Sequence, residues 1–366
     1  MLADRLPEVP WDRLRPARRL AAAHPGGLVD LSMGAPVDAT PEIAQEALAA
    51  AANAPGYPPV AGTPEVHEAV VAWARRRLGV AGLAPSAVLP TIGLKEFVAW
   101  LPTLLGLGSN DTVMIPELAY PTYEIGAVVA GADVLRSDAT IGVGPQGVSL
   151  IWINSPSNPT GRVLGTEHLR KMVEFARQRK AVLVSDECYF ELPWSPEPEH
   201  RPVSLLHPAV CGGDHRGLLA LHSLSKRSNA AGYRFGVALG DPRLVSGLVS
   251  ARRHLGQSVP TPVQHAAAAL FDDDDHVAEQ VARYGERREI LLRALDNAGF
   301  VVDDSHAGLF LWVTRDQPCW DTIDWLARRG ILATPGDFYG PSGSRHVRVS
   351  LTASDEHVAA AAARLH

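Results

Sequence analysis

Between about residues 90 and 250, short runs rich in Val, Ile and Leu alternate with amphipathic stretches. TVMI (112–115) precedes a helix-like stretch near 120–131. SLIWIN (149–154) precedes TEHLRKMVEFARQR (166–179), which has one apolar face and a Thr placed to cap it. AVLVSD (181–186), LLALHS (218–223) and RFGVALG (234–240) follow. Runs that are apolar at every position, not every second one, are strands buried on both faces. Their alternation with helices predicts an α/β chain on a mostly parallel sheet.

After residue 250 the pattern changes. VAEQVARYGERREILLRALDNA (277–298) predicts a long helix linking two domains, for which 366 residues leave room. GLFLWVT (308–314), TIDWLARRG (322–330), ILATPG and HVRVSL (346–351) predict a smaller α+β domain. The first 40 or so residues are rich in Pro and Arg, show no clear element, and are expected to pack on that smaller domain. The expected division is an arm with part of the small domain (1–43), a large domain (44–255), and the linking helix with the rest of the small domain (256–366). Asp272 to Asp275 read as a solvated loop.

Open α/β sheets bind ligands beyond the carboxyl ends of their strands. There, SLIWIN leads to Asn158, AVLVS runs into Asp186 with Tyr189 close behind, and LLALH leads to Ser223 and Lys226. Lys226 stands out. The chain holds 34 lysines and arginines together, and only Lys95, Lys171, Lys180 and Lys226 are lysines. A lysine amine can lose its proton and attack a carbonyl; an arginine guanidinium cannot. The group offers an amine for a Schiff base, a carboxylate for a protonated ring nitrogen, and Asn and Tyr for a phenolate oxygen. Ser223 and Arg234 suit a phosphate. One molecule with all four features is pyridoxal 5′-phosphate (PLP).

With MGAP (33–36), GYPPVAGTPEVHEAV (56–70), TIGLKE (91–96), AYPTY (119–123), NSPSNPTG (154–161), SDECY (185–189), SLSK (223–226), PGDFYG (335–340) and HVRVS (346–350), the sequence resembles the fold-type I PLP enzymes, specifically the class I/II aminotransferases. The resemblance runs over nearly the whole chain, in the family's order. It implies an aspartate-aminotransferase-like fold with a large, mostly parallel domain and a smaller α+β domain. It implies that Lys226 is the catalytic amine and holds PLP as a Schiff base. Asp186 would pair with the pyridinium nitrogen, which keeps the ring an electron sink. Asn158 and Tyr189 would hold the ring oxygen, and Tyr120 would stack on the ring. Gly93, Leu94 and Lys95, with Ser223 and Arg234, would cradle the phosphate at a helix start. Tyr57 would reach the phosphate of a neighbouring subunit, which implies a homodimer. Arg348 would clamp the substrate α-carboxylate, and Gly34 would let the backbone approach it. Leu94 departs from the family, which usually has a small or hydroxyl residue there, so only its N–H contact is expected. Lys95 is expected to be partly exposed rather than a second catalytic amine.

Each residue also has a plainer reading: Lys226 a snorkelling strand-end lysine, Asp186 a helix cap, Tyr57 part of a turn, Arg348 a salt-bridge residue. Their joint register favours the site. Cys188 reads as a small buried hydrophobe, and Trp100, Trp152, Trp194 and Trp312 as core or lining.

The expected reaction is ping-pong transamination with 2-oxoglutarate and glutamate as the second pair. The arm PEVPWDRLRPARRLAAAHPGGLVDLSMGAPVD, AYPTYEIGAVVAGA and TPGDFYGPSGSRHVRVSL look most like the actinobacterial N-succinyldiaminopimelate aminotransferases of lysine and peptidoglycan synthesis. The implied donor is N-succinyl-LL-2,6-diaminopimelate. Arg15, Arg18, Arg162 or Arg227 could meet its distal carboxylates, or serve as surface charges. An aminotransferase for aspartate, alanine or an aromatic amino acid, and a PLP-dependent carbon–sulfur lyase, are the alternatives. A PLP-sensing regulator would need an N-terminal DNA-binding domain, and with MGAP at residue 33 none is expected. A net charge of −6 with no basic run beyond Arg75-Arg76-Arg77 argues against nucleic acid. No apolar run is long enough for a membrane span, and no signal peptide is expected. Cys188, Cys211 and Cys319 lack CxxC spacing and suggest reduced thiols in the cytoplasm. No histidine pairing suggests a metal.

Overall fold

The computed structural model describes residues 2–139 and 147–365. The described strands, in chain order, begin with β1 (Val29–Asp30), β2 (Val88–Thr91), β3 (Thr112–Ile115), β4 (Asp133–Arg136) and β5 (Leu150–Asn154). They continue with β6 (Val182–Asp186), β7 (Leu218–Ser223), β8 (Gly236–Gly240), β9 (Val301–Asp303) and β10 (Phe310–Thr314), and end with β11 (Ile331–Leu332), β12 (Thr334–Pro335) and β13 (His346–Ser350).

Seven strands form one sheet in the order β2-β8-β7-β6-β5-β3-β4. Only β8 runs against the rest. The apolar runs serve two cores. Ile151, Ile153, Leu218 and Ala220 pack into one cluster, while Leu150, Trp152, Leu219 and Leu221 pack into another. Successive side chains of a strand point to opposite faces, so a strand covered on both sides must be apolar throughout. The register pairs Asn154 with Asp186, and Ser223 with Gly236, which pairs with Thr91. The ends of β2, β5, β6 and β7 therefore share one edge.

A second, antiparallel sheet has the order β12-β13-β10-β9 and its own apolar cluster. The 23-residue helix Asp275–Asn297 buries Leu291, Ala294 and Leu295 in that cluster. Its first turns reach the segment after β7, where Gln280 accepts a 2.8 Å bond from Asn229, three residues past Lys226.

Several expectations need correction. The N-terminal segment does contain elements: the helix Arg15–Ala22, and β1 paired in parallel with β11. These pairings are remote in sequence, so local composition carried no sign of them. Leu14, Val29 and Leu31 join the cluster of the small sheet, where the segment was expected to pack. Thr166 is the first residue of the helix Thr166–Arg179; Gly165 precedes it and no side chain caps it. Asp272 to Asp275 join two helices instead of forming a free loop. Asp274 takes two bonds from Arg76, at 2.8 and 3.0 Å, and Asp273 accepts from the Asp275 N–H. Trp100 is 38% exposed, so it is not part of the core.

Candidate active site

Asp186 ends β6 with its side chain buried. Its Oδ2 accepts a 2.8 Å bond from the Tyr123 hydroxyl, and its Oδ1 accepts the Cys188 N–H at 3.2 Å. Burial pushes its carboxyl up, while these donors pull it down. Cys188, expected to be buried, is partly exposed. Tyr189 is buried, and its ring meets Phe310 edge-on at 5.7 Å.

Asn154, at the end of β5, stitches this region together. Its amide donates to the carbonyls of Asp186 (2.8 Å) and Pro156 (3.0 Å), and its Oδ1 accepts the Asn158 N–H at 2.7 Å. Peptides 155–156 and 158–159 are cis. The Asn158 side chain accepts from Arg348 Nη1 at 2.8 Å. Arg348 is buried on β13, donates from Nη2 to the Ser32 carbonyl at 2.7 Å, and lies 3.8 Å from the centre of the Phe310 ring. Among the described residues its Nε has no hydrogen-bond partner.

Ser223 caps the short helix Leu224–Arg227 by accepting the Ser225 N–H at 3.1 Å. That turn lifts Lys226 off the end of β7, and its amine donates to the Gly34 carbonyl. Burial lowers the amine from an ordinary 10.5 to about 8, and the charges of Arg348 and Arg234 push the same way. Gly34 packs so closely on Phe310 that a Cβ there would sit 2.6 Å from the ring.

The helix Leu94–Leu104 starts at Gly93, which has φ of 71° and no side-chain cap. A Cβ at Gly93 would collide with the Arg234 guanidinium. Arg234 is itself left-handed, with φ of 56°, so the strand expected from 234 begins at Gly236. Leu94 is buried and Lys95 exposed. Uncapped N–H groups, a guanidinium and the Ser223 hydroxyl thus converge where Thr91 Oγ1 is buried with no partner among the described residues. This cradle fits a phosphate, and the unpartnered Arg348 Nε fits an anion. With the Asp186 carboxylate and the Lys226 amine between them, the residues fit PLP.

Tyr120 meets Tyr123 edge-on at 5.7 Å and is partly buried. Tyr57 stands apart, fully exposed. Three of the arginines considered for a distal carboxylate are engaged elsewhere: Arg15 with Asp12, Arg18 with Asp30, and buried Arg227 with Glu191. Arg227 also faces Trp73 and Phe271, in the core on the far side of the sheet from Tyr123, and is corrected as a substrate-facing candidate. Arg162 is exposed beside the Asn158 loop. Sequence reading overlooked Asn154 and Tyr123. A polar residue ending an apolar run, and the second tyrosine of AYPTY, were the available signals.

The sequence matches the family described as Aminotransferase class I and II over residues 27–365. The chain belongs to this family. The family and its fold are PLP-dependent, and the protein is an aminotransferase. It is 59% identical over 360 residues to a probable aminotransferase of Mycobacterium tuberculosis, which covers 98% of this chain and 85% of that one. It is 56% identical to the 4-dedimethylamino-4-oxo-anhydrotetracycline transaminase of Streptomyces rimosus, covering 98% of this chain and 99% of the relative. A solved aminotransferase from Neisseria meningitidis superposes with a TM-score of 0.90 at 27% identity, covering 100% of this chain and 98% of that one. Among the described residues, no helix is long and apolar enough to cross a membrane, and no cluster of His, Cys, Asp or Glu could hold a metal.

Proposed function

We propose that this aminotransferase takes the amino group of an α-amino carboxylate and passes it to 2-oxoglutarate. The observation that carries the reading is the Lys226 amine, lowered to about 8 within reach of the charge of buried Arg348, whose Nε lacks a partner among the described residues. Arg348 binds the donor carboxylate, and Gly34 lets it lie close to the backbone. Lys226 Nζ takes the proton from the donor Cα as general base, a role that suits an amine with a value of about 8. Asp186 holds the ring nitrogen, Asn158 and Tyr189 the ring oxygen, and Tyr120 one ring face. Gly93, Leu94, Lys95, Ser223 and Arg234 hold the phosphate. When bound, PLP supplies the aldehyde that captures the donor amine and the ring that accepts the electrons released at Cα. Tyr57, fully exposed, is free to reach the site of a second copy, and the active unit is a homodimer.

The finer reading is N-succinyl-LL-2,6-diaminopimelate as donor, supported by overall sequence similarity and by exposed Arg162 near Asn158. A second reading follows from the Streptomyces relative: an amino donor passing its nitrogen to a polycyclic ketone. A substrate panel separates them. Turnover of N-succinyl-LL-2,6-diaminopimelate, aspartate, alanine and an aromatic amino acid would be compared with 2-oxoglutarate, together with a 4-oxo-anhydrotetracycline acceptor. A preference for any other substrate by about tenfold in kcat/KM rejects the finer reading. Pyruvate release from cystathionine without an acceptor would point to carbon–sulfur lyase activity beside transamination.

A further inference from the structure

We propose that Tyr123 is a positioning residue for Asp186, and that its hydroxyl keeps the proton on the cofactor ring nitrogen instead of on the carboxylate. The inference rests on the proposed pairing of Asp186 with that nitrogen.

The geometry leaves Tyr123 one role for its hydroxyl. The residue is completely buried in the first turn of the helix Thr122–Ala130. Its ring stacks on Trp152 of β5 at 4.8 Å with 16° between planes, and Tyr120 closes a second side. Aimed from there, the hydroxyl donates to Asp186 Oδ2 at 2.8 Å. Oδ1 takes a longer bond from the backbone of Cys188, which no substitution at 188 other than Pro can remove. Tyr123 is the larger side-chain donor to the carboxylate; the Cys188 thiol is a second one, and both stabilise its charge.

The direction follows from where a shared proton sits. Between a carboxylate and a ring nitrogen the proton goes to the more basic partner. Burial makes Asp186 more basic. A hydroxyl donating to Oδ2 stabilises the anion and lowers its pull on the proton. The ring then keeps its positive charge, which is what makes it accept electrons. Burial also holds the Tyr123 hydroxyl in its neutral, donating form, well above the usual phenol range. Packing alone would be served as well by phenylalanine, which would leave Oδ2 unmet in a buried site.

The test loads 15N-labelled PLP into the wild type and Tyr123→Phe, and reads the ring-nitrogen shift by NMR. The wild type should show a protonated nitrogen, and Tyr123→Phe should move the shift toward the unprotonated value. Single-turnover reaction with the amino donor should slow about tenfold with donor affinity almost unchanged. An unmoved shift, even with a lower melting temperature, assigns Tyr123 to packing and overturns the proposal. A wild type that fails to load PLP, or whose nitrogen is unprotonated, sinks the Asp186 pairing itself. Should Tyr123→Phe not fold, 3-fluorotyrosine at position 123 keeps ring and hydroxyl and is the stronger donor. It should move the ring N–H proton signal upfield, and an unmoved signal overturns the proposal equally.

Discussion

Replacing Lys226 by methionine should stabilise the cofactor-free protein at neutral pH while abolishing turnover. The amine is lowered from 10.5 to about 8 in the folded chain, chiefly by burial. At pH below 8 the folded protein therefore carries a charge in a place that disfavours it. The fall corresponds to about 3 kcal/mol of lost stability. The methionine side chain has no charge to bury and nearly the same length, but it leaves the Gly34 carbonyl without its donor. That loss costs about 1–2 kcal/mol. The net gain is about 1–2 kcal/mol below pH 8, or a few degrees in melting temperature. The dependence on pH has a definite sign. Between the folded value of about 8 and the unfolded value of 10.5, the unfolded chain binds more protons than the folded one. Wild-type stability attributable to Lys226 then rises with pH across this window. The advantage of Lys226→Met should shrink through this window and reverse near its upper end, as the penalty falls below the cost of the lost Gly34 contact. Melting both proteins without PLP by differential scanning fluorimetry, from about pH 6 to 10, measures this. A variant less stable than the wild type at pH 7, or a difference constant with pH, would refute the claim that the amine is held against its charge.

Gly93→Ala should weaken PLP binding about tenfold, since the new Cβ meets the Arg234 guanidinium at a left-handed position; equilibrium dialysis reads this, and unchanged affinity would remove Gly93 from the cradle. Asp38→Asn should destabilise the protein by about 2 kcal/mol, because buried Arg287, bonded to both Asp38 oxygens at 2.7 Å, would keep only exposed Asp355 as its close counter-charge. Burial pushes the Asp38 carboxyl up, but Arg287 and Gln280 overcome this and hold it below its ordinary value. Its contribution is therefore present at neutral pH and lost as pH falls through the lowered value, so the variant and wild-type urea midpoints should converge in acid. Tyr57→Phe should leave the melting temperature unchanged, as the side chain is fully exposed, yet lower PLP affinity if a second copy uses it; equal affinity for the two proteins would exclude that role.

Much of the large sheet could be read locally. A strand buried on both faces announces itself in about four consecutive apolar residues, as LIWI of LIWIN and LLAL of LLALHS do. Residues delivered just past strand ends, such as Asn158 and Lys226, could be anticipated because the chain carries them there directly. The short N-terminal strand β1 could not, since two residues gain their identity only by pairing with Ile331 and Leu332. Arg227 shows the opposite case: it adjoins Lys226 in sequence, but the short helix Leu224–Arg227 sends its side chain to Glu191 and the core instead.

By itself the amino-acid sequence determined the α/β class, the amine at 226, and the set of polar groups that suits PLP, because these follow from residue type and short-range periodicity. Tertiary structure alone decided which groups touch. Tyr123 meets Asp186 across 63 residues, Arg348 meets Asn158 across 190, and Lys226 meets Gly34 across 192. Hydrogen-bond partners so far apart are chosen by how strands and loops pack, and it is this packing that lowers one amine, holds one carboxylate and leaves one guanidinium with a bond to give.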